Sequence, residues 1–328
     1  MNLIQRPRRL RRSLALRSLV SETKLSTADL IAPLFLKEGT NSFEPILSMP
    51  GHGRMSLDLL LKEIKTLDEL GVQCVSLFPA LEDRLKDPRA KEALNPDGLY
   101  QRSIRAIKEK FPDILVMTDV ALDPYSSDGH DGLVDPKTGT ILNDETLEIL
   151  AAMAVVQAQA GSDILGPSDM MDGRVGAIRS ALDQAGFHDR TIMSYTAKYA
   201  SSFYGPFREA LASAPKSGDK KTYQMDFANA REALKEARLD LEEGADILMV
   251  KPGLSYLDII YRLKEAFDVP IAAYQVSGEY AMVKAASERG WIDGEKVMIE
   301  TLMSFKRAGA DLILTYFAKE MALIIQES

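Results

Sequence analysis

Thiol and imidazole groups are scarce in this chain of 328 residues, which has one cysteine, Cys74, and three histidines. A lone cysteine forms no internal disulfide and no CxxC zinc or redox site. His52, His130 and His188 share no metal-ligand spacing. No apolar run approaches the roughly 18 residues of a membrane-spanning helix, so no membrane partner is expected. Neither GxGxxG nor GxxxxGK[ST] occurs, which removes two familiar phosphate cradles. The opening MNLIQRPRRLRRSLALRSL lacks the apolar core and cleavage site of a secretory signal. A cytoplasmic location is the expectation that follows. What the chain does have is 46% hydrophobic and 27% charged residues. At this length about 75% of the unfolded surface can be buried, enough for a full core without staples.

The charge is unevenly spread. Arg6, Arg8, Arg9, Arg11, Arg12 and Arg17 precede the first acid, Glu22, and without them 34 basic residues face 48 acidic ones, a formal −14. Such an arm suits phosphate contacts, an organelle transit signal, or the acidic body of a neighbouring subunit. The remaining chain shows no basic patch or RNA-binding motif, so no nucleic-acid partner is expected.

Beyond the arm, β-branched runs alternate with longer amphipathic ones. Strands are predicted at Asp29–Leu36, Val72–Pro79, Asp113–Val120, Asp163–Ser168, Thr191–Ala197, Ala245–Lys251, Val269–Ser277 and Ala310–Phe317. Helices are predicted between them, among others at Leu57–Leu70, Leu99–Lys110, Asp144–Ala160, Ala228–Glu243, Tyr256–Phe267 and Lys296–Ala308. The phrase recurring as AGSDIL, EGADIL and AGADLI sets a glycine for a helix C-cap and an aspartate before a buried strand. Eight such units without a compositional break predict an α/β fold, a (β/α)8 TIM barrel over residues 29–328, with an N-terminal arm over residues 1–28.

Barrel chemistry is built at the C-terminal strand ends. Those ends carry Asp119, Asp123, Ser168, Asp169, Lys198, Lys251, Ser277 and Tyr316. Two lysines ending strands of one barrel are informative, because a desolvated ammonium beside a second cation loses its proton readily. A neutral amine can attack a ketone and give a Schiff base; the other reading is a lysine that merely exits the mouth into water. The segment TDVALDPYSSDGHDG concentrates aspartates whose hard oxygens suit Mg²⁺, although Asp, Gly, Ser and Pro also form plain turns. The long connection 198–226, with Arg208, Lys216, Lys220 and Lys221 beside Phe203, Tyr204 and Phe207, reads as a lid or as a solvated helical excursion.

At these residues the chain resembles the porphobilinogen synthase (5-aminolaevulinic acid dehydratase) family. The matching stretches include RPRRLRR, TDVALDPY, GHDG, GPSDMMDGRVGAIR, SYTAKYASSFYGPFREA, GDKKTYQMD, EGADILMVKPGLSYLDI, YQVSGEYAM and KRAGADLILTYFAKE, in order from Arg6 to Glu320. The resemblance implies a barrel whose arm wraps a partner subunit, in a homo-octamer. It also implies a lyase reaction of tetrapyrrole biosynthesis. Two molecules of 5-aminolaevulinate condense, lose two waters and give porphobilinogen. By motif, Lys251 forms the Schiff base with the substrate supplying the propionate side, and Lys198 binds the second. Ser277 and Tyr316 match the holders of the first carboxylate, with Tyr204, Phe207, Tyr274 and Val276 around it. Arg208 and Lys220 match the cationic pair for the second, Gln224 belongs to the same lid, and Ser168 and Asp119 line the centre. Two covalent tethers supply high effective molarity, and Asp119 is a candidate base or proton relay.

Departures from the family pattern concern metal. Zinc-dependent members carry three cysteines where this chain has Ala121, Asp123 and Asp131, so no zinc is expected. The sequence resembles the aspartate-rich branch, which uses Mg²⁺ or no catalytic metal; Mg²⁺ is the expectation, with Asp131 and then Asp123 as its ligands. Glu236 matches a glutamate that holds an allosteric Mg²⁺ in many members. Lys220 replaces an arginine, which keeps the charge and loses bidentate binding. A class I aldolase-like barrel is the alternative the lysines admit, but aldolases ordinarily need one such lysine and favour phosphate sites. A catalytically dead barrel is opposed by the intact Lys198, Lys251, Ser277 and Tyr316.

Overall fold

The computed structural model describes residues 3–211 and 213–327. Eight parallel strands close on themselves: β1 Leu30–Leu36, β2 Cys74–Pro79, β3 Leu115–Val120, β4 Ile164–Pro167, β5 Thr191–Lys198, β6 Ile247–Lys251, β7 Ile271–Gln275 and β8 Leu312–Thr315. Closure is made by β8 on β1, with Leu30 opposite Ile313 and Ile31 opposite Leu314. The expected barrel is therefore present, each predicted strand being centred correctly and, for all but β5, one or two residues too long at one or both ends. Surplus residues at the N-terminal ends, such as Asp29 and Asp163, belong to the turns that feed the strands.

Helices pack outside: α1 Leu57–Glu69, α2 Leu99–Lys110, α3 Asn143–Ala160, α4 Arg174–Gln184, α5 Arg231–Glu242, α6 Leu257–Ala266, α7 Ser277–Glu288, α8 Gly294–Ala308 and α9 Ala318–Glu327. On α1 the buried side chains are Leu60, Ile64 and Leu67, one stripe at helical spacing. Helices α4, α7 and α9 are not among those named from the sequence. In α7 the whole first turn, Ser277 to Tyr280, is buried, polar Ser277 and Glu279 included, while Met282 and Ala285 are exposed, so polarity does not mark its outer face. Glu279 instead caps two backbones, accepting from the Val276 and Leu254 N–H groups at 2.8 Å each.

The recurring glycine–aspartate phrase has one geometry three times. Gly161, Gly244 and Gly309 end helices with φ of +110°, +102° and +112°, where a side chain would be strained. Two residues on, Asp163 accepts the Val116 N–H at 2.8 Å, Asp246 the Ile192 N–H at 2.8 Å, and Asp311 the Ile271 N–H at 2.9 Å. Each aspartate thereby ties the foot of its strand to the strand before it.

Two additions flank the mouth. A hairpin of Phe43–Pro45 and Gly53–Met55 extends the sheet from the end of β1. The connection after β5 forms a 3-10 turn Ser202–Tyr204 and a helix Gly205–Leu211, then a loop back to Met225. At the N-terminus no side chain from Leu3 to Asp29 is buried, and the short helix Leu14–Leu19 leaves Leu14 and Leu19 72% and 80% exposed.

Candidate active site

Strand direction brings Asp119, Ser168, Lys198, Lys251 and Tyr274 to one end of the barrel, with Ser277 and Tyr316 just beyond β7 and β8. All seven are buried. Lys198 and Lys251 are direct cross-strand partners where β5 and β6 end. Lys198 donates to the Ser168 carbonyl, and its Nζ lies 3.5 Å from Asp131.

Lys251 sits in an aromatic cage. Its Nζ is 4.4 Å from the ring centre of Tyr274, 5.0 Å from those of Tyr195 and Phe207, and 5.5 Å from that of Tyr204. Aromatic faces favour a cation only modestly. Burial, reinforced by the charge of Lys198, pushes its pKa down to about 7, against the pull of Asp119, Asp123 and Asp131. A substantial neutral fraction at physiological pH is what imine formation requires. Tyr195 was not singled out from the sequence; it lies inside β5, three residues before Lys198, and an interior barrel tyrosine looks like plain core.

Asp119 is a second buried group at the mouth whose titration is shifted. Burial and the neighbouring Asp123 push it up to about 6, opposed by a Ser168 hydrogen bond and by Lys251 and Lys198. One of its carboxylate oxygens, Oδ1, is buried without a hydrogen-bond partner. A carboxyl titrating near 6 can both take and return a proton close to neutrality.

The remaining pocket residues divide into two groups. Tyr274 and Tyr316 share a hydrogen bond of 3.0 Å between their hydroxyls. Ser277 accepts the Phe207 N–H at 3.0 Å, fastening the lid helix to the start of α7. Tyr204 donates to the carbonyls of Tyr199 and Lys251, at 2.7 and 3.2 Å. Val276 is buried beside them. On the other side the lid brings in Arg208, half-buried, together with buried Lys220 and Gln224. Arg54 from the hairpin donates to the Ala210 and Glu209 carbonyls, closing the end of the lid helix.

Lys220 meets partners the sequence does not announce. Its Nζ is 2.9 Å from Asp131 and 3.5 Å from Asp123. Burial opposes ionisation of Asp131, but Lys198 and Lys220 outweigh it and hold the carboxyl well below its usual range. Asp123 goes the other way, raised by burial. The carboxylates expected to ligate Mg²⁺ thus carry ammonium groups instead. Among the described residues no three His, Cys, Asp or Glu side chains converge as a metal-holding set. The residues in this arrangement do not fit an active-site metal, and no step below runs through one.

Glu236 stands behind the lid, sharing a cavity with Lys221, Tyr223 and Gln224. It lies on α5, and that cavity, of about 300 Å³, is also lined by Asn143, Asp172, Asp226, Asn229 and Glu232. Burial raises its pKa; Arg174 lowers it, and the acids Asp240, Asp172 and Glu232 raise it further. Asp169, although at a strand end, faces away from the lysines into a buried network. There Arg174 Nε is 3.8 Å from Asp169 and Arg174 Nη1 is 3.3 Å from Asp240.

The comparisons with known proteins follow this geometry closely. The family model "Delta-aminolevulinic acid dehydratase" matches residues 4–324. The chain belongs to the delta-aminolevulinic acid dehydratase family. A rice relative named as the chloroplastic enzyme of that family is 59% identical over 99% of this chain and 76% of its own length. A Bradyrhizobium diazoefficiens dehydratase is 54% identical over 98% of this chain and 91% of its own. The crystal structure of the Toxoplasma gondii enzyme, in complex with porphobilinogen, superposes with a TM-score of 0.98. It is 52% identical and covers 99% of this chain and 92% of that one. The protein is accordingly an enzyme, a lyase of the dehydratase type, and the aldolase alternative falls away. One expectation is overturned. The cytoplasmic location does not stand, because the relatives from rice, soybean and Arabidopsis are named as chloroplastic proteins.

Proposed function

We propose that the two strand-end lysines hold the two molecules of 5-aminolaevulinate whose condensation gives porphobilinogen, Lys251 the first and Lys198 the second. The observation that carries this reading is that Lys198 and Lys251 stand opposite one another where β5 and β6 end, both buried at the mouth of one barrel. Two like substrates tethered side by side react as if intramolecular. Tyr316, Tyr274 and Ser277 would receive the first carboxylate, and Arg208, Lys220 and Gln224 the second. Lys220 would release Asp131 and Asp123 as that carboxylate arrives. Asp119, close to neutrality in its titration, would take the proton from carbon next to an imine and pass it to departing water. The lid would exclude bulk water, which hydrolyses imines.

This reading includes the aspartate-rich, zinc-independent branch, since Ala121, Asp123 and Asp131 supply no thiolate. Lys220 and Lys198 supply positive charge there. Mg²⁺ is proposed for the cavity at Glu236, whose oxygen donors suit a cation held by one or two carboxylates and several waters. Its contribution would be to balance the charge of Glu236, with waters completing the shell, because among the described residues no three carboxylates converge there. Residues 1–28 form the proposed arm and 29–328 the catalytic barrel. None of the six arm arginines makes an ion pair among the described residues, and Leu3, Ile4, Leu10, Leu14, Leu19 and Val20 of the arm are exposed, which suits the acidic surface of a second subunit in a homo-octamer.

Borohydride reduction in the presence of 5-aminolaevulinate, followed by peptide mapping, tests the assignment. An adduct on Lys251, and on Lys198 at higher substrate, is expected. Absence of any adduct at Lys251 would refute it.

A further inference from the structure

His130 belongs to the strand-end loop after β3, is 4% exposed, and touches the lid with both ring nitrogens. Nε2 lies 2.9 Å from the Ser217 carbonyl and Nδ1 lies 3.0 Å from the Tyr223 hydroxyl. A carbonyl only accepts, so Nε2 carries the proton and Nδ1 accepts from the Tyr223 O–H. The Tyr223 oxygen in turn accepts the Asp131 N–H at 3.4 Å. The two contacts straddle the turn Ser217–Tyr223, which carries Lys220.

Nearby backbone joins the same seam. The Lys216 N–H donates to the Asp128 carbonyl at 3.0 Å. Gly129, at φ +71°, approaches the lid so closely that a Cβ would stand 2.4 Å from the Ala214 carbonyl oxygen. The turn also borders a cavity of about 820 Å³, which His130, Ser217 and Tyr223 line together with Asp219 and, opposite, Thr138 and Asn143. The side-chain contacts that hold the turn to the barrel come from His130 and from its neighbours Asp131 and Asp123, with open space beside them.

We infer that His130 is a positioning residue: it latches the lid turn Ser217–Tyr223 over the mouth and so fixes where Lys220 stands. The inference rests on the proposed role of Lys220 for the second substrate only in its kinetic consequence; the latch itself is read without substrate. In ligand-free protein, trypsin should cut after Lys216, Lys220 and Lys221 about five- to tenfold faster in Tyr223→Phe, which removes one oxygen, and faster still in His130→Phe. His130→Gln, which can still donate to the Ser217 carbonyl, should recover part of the protection. KM for 5-aminolaevulinate should rise about five- to tenfold in Tyr223→Phe with kcat within about twofold, while borohydride trapping at Lys251 stays at the wild-type level. Lid cleavage at the wild-type rate in both Tyr223→Phe and His130→Phe would overturn the latch. Faster cleavage with unchanged KM would uphold the latch and overturn the substrate role of Lys220. Should His130→Phe fail to fold, Tyr223→Phe carries the test alone.

Discussion

Replacing Lys198 by methionine should switch Lys251 from a largely neutral amine to a largely protonated one at neutral pH. The fall of Lys251 from 10.5 to about 7 has burial as its first cause and the Lys198 charge as its second. It corresponds to about 5 kcal/mol in favour of the neutral form. Adjacent parallel strands are about 4.8 Å apart. Two ammonium groups about 6 Å apart repel by about 2.8 kcal/mol at an effective dielectric of about 20, or about two pKa units. The aspartates nearby offset part of this, so Lys198→Met should raise the Lys251 pKa by about one to two units. The assay is borohydride trapping with laevulinate, the des-amino analogue, which forms the imine and goes no further. In the wild type, trapping at Lys251 should rise with pH through a midpoint near 7. In Lys198→Met the midpoint should lie near 8–9, with about five- to fiftyfold less trapping at pH 7 and a normal yield at pH 10. An unchanged midpoint would show that burial alone sets the amine. A wild-type midpoint near 10.5 would refute the desolvation argument altogether.

Two further outcomes are expected. Chelation should lower activity in part and Mg²⁺ should restore it, whereas Glu236→Gln should be indifferent to both; a Glu236→Gln enzyme that still responds to Mg²⁺ would move the ion elsewhere. Deleting residues 1–12 should leave a folded barrel by circular dichroism that elutes as smaller oligomers, and an unchanged elution volume would remove the arm from assembly.

The barrel and its two lysines were legible in the sequence because both follow from period and position. A parallel strand buried on both faces reads as a β-branched run, and its last residue faces the mouth. What stayed hidden depends on contacts between segments far apart in sequence. Lys220 lies 89 residues from the aspartate it binds most closely, Asp131. No local pattern distinguishes a lysine that awaits a carboxylate substrate from one that neutralises the protein's own acids. His130 is a similar case: a single histidine in a turn-forming stretch carries no spacing signal, and its two partners come from the lid. Tyr195 was missed for a different reason, since its hydrophobic bulk fits a core position and only the neighbouring ammonium gives it a role. Helix α7 escaped notice because its buried first turn includes polar Ser277 and Glu279 while Met282 and Ala285 are exposed.

The aspartates at the feet of β4, β6 and β8 do more than anchor turns. They divide the cylinder into pairs, β3 with β4, β5 with β6 and β7 with β8, each sewn at its base by a side chain in addition to the backbone ladder. The two amines of the pocket stand on one sewn pair, β5 and β6, with Asp246 at the foot and Lys198 and Lys251 at the top. The seam between β6 and β7, where Lys251 meets Tyr274, carries none of these three ties. The spacing of the two lysines is thus set at both ends of one strand pair, like a gauge block, by the Asp246 tie below and the backbone register above.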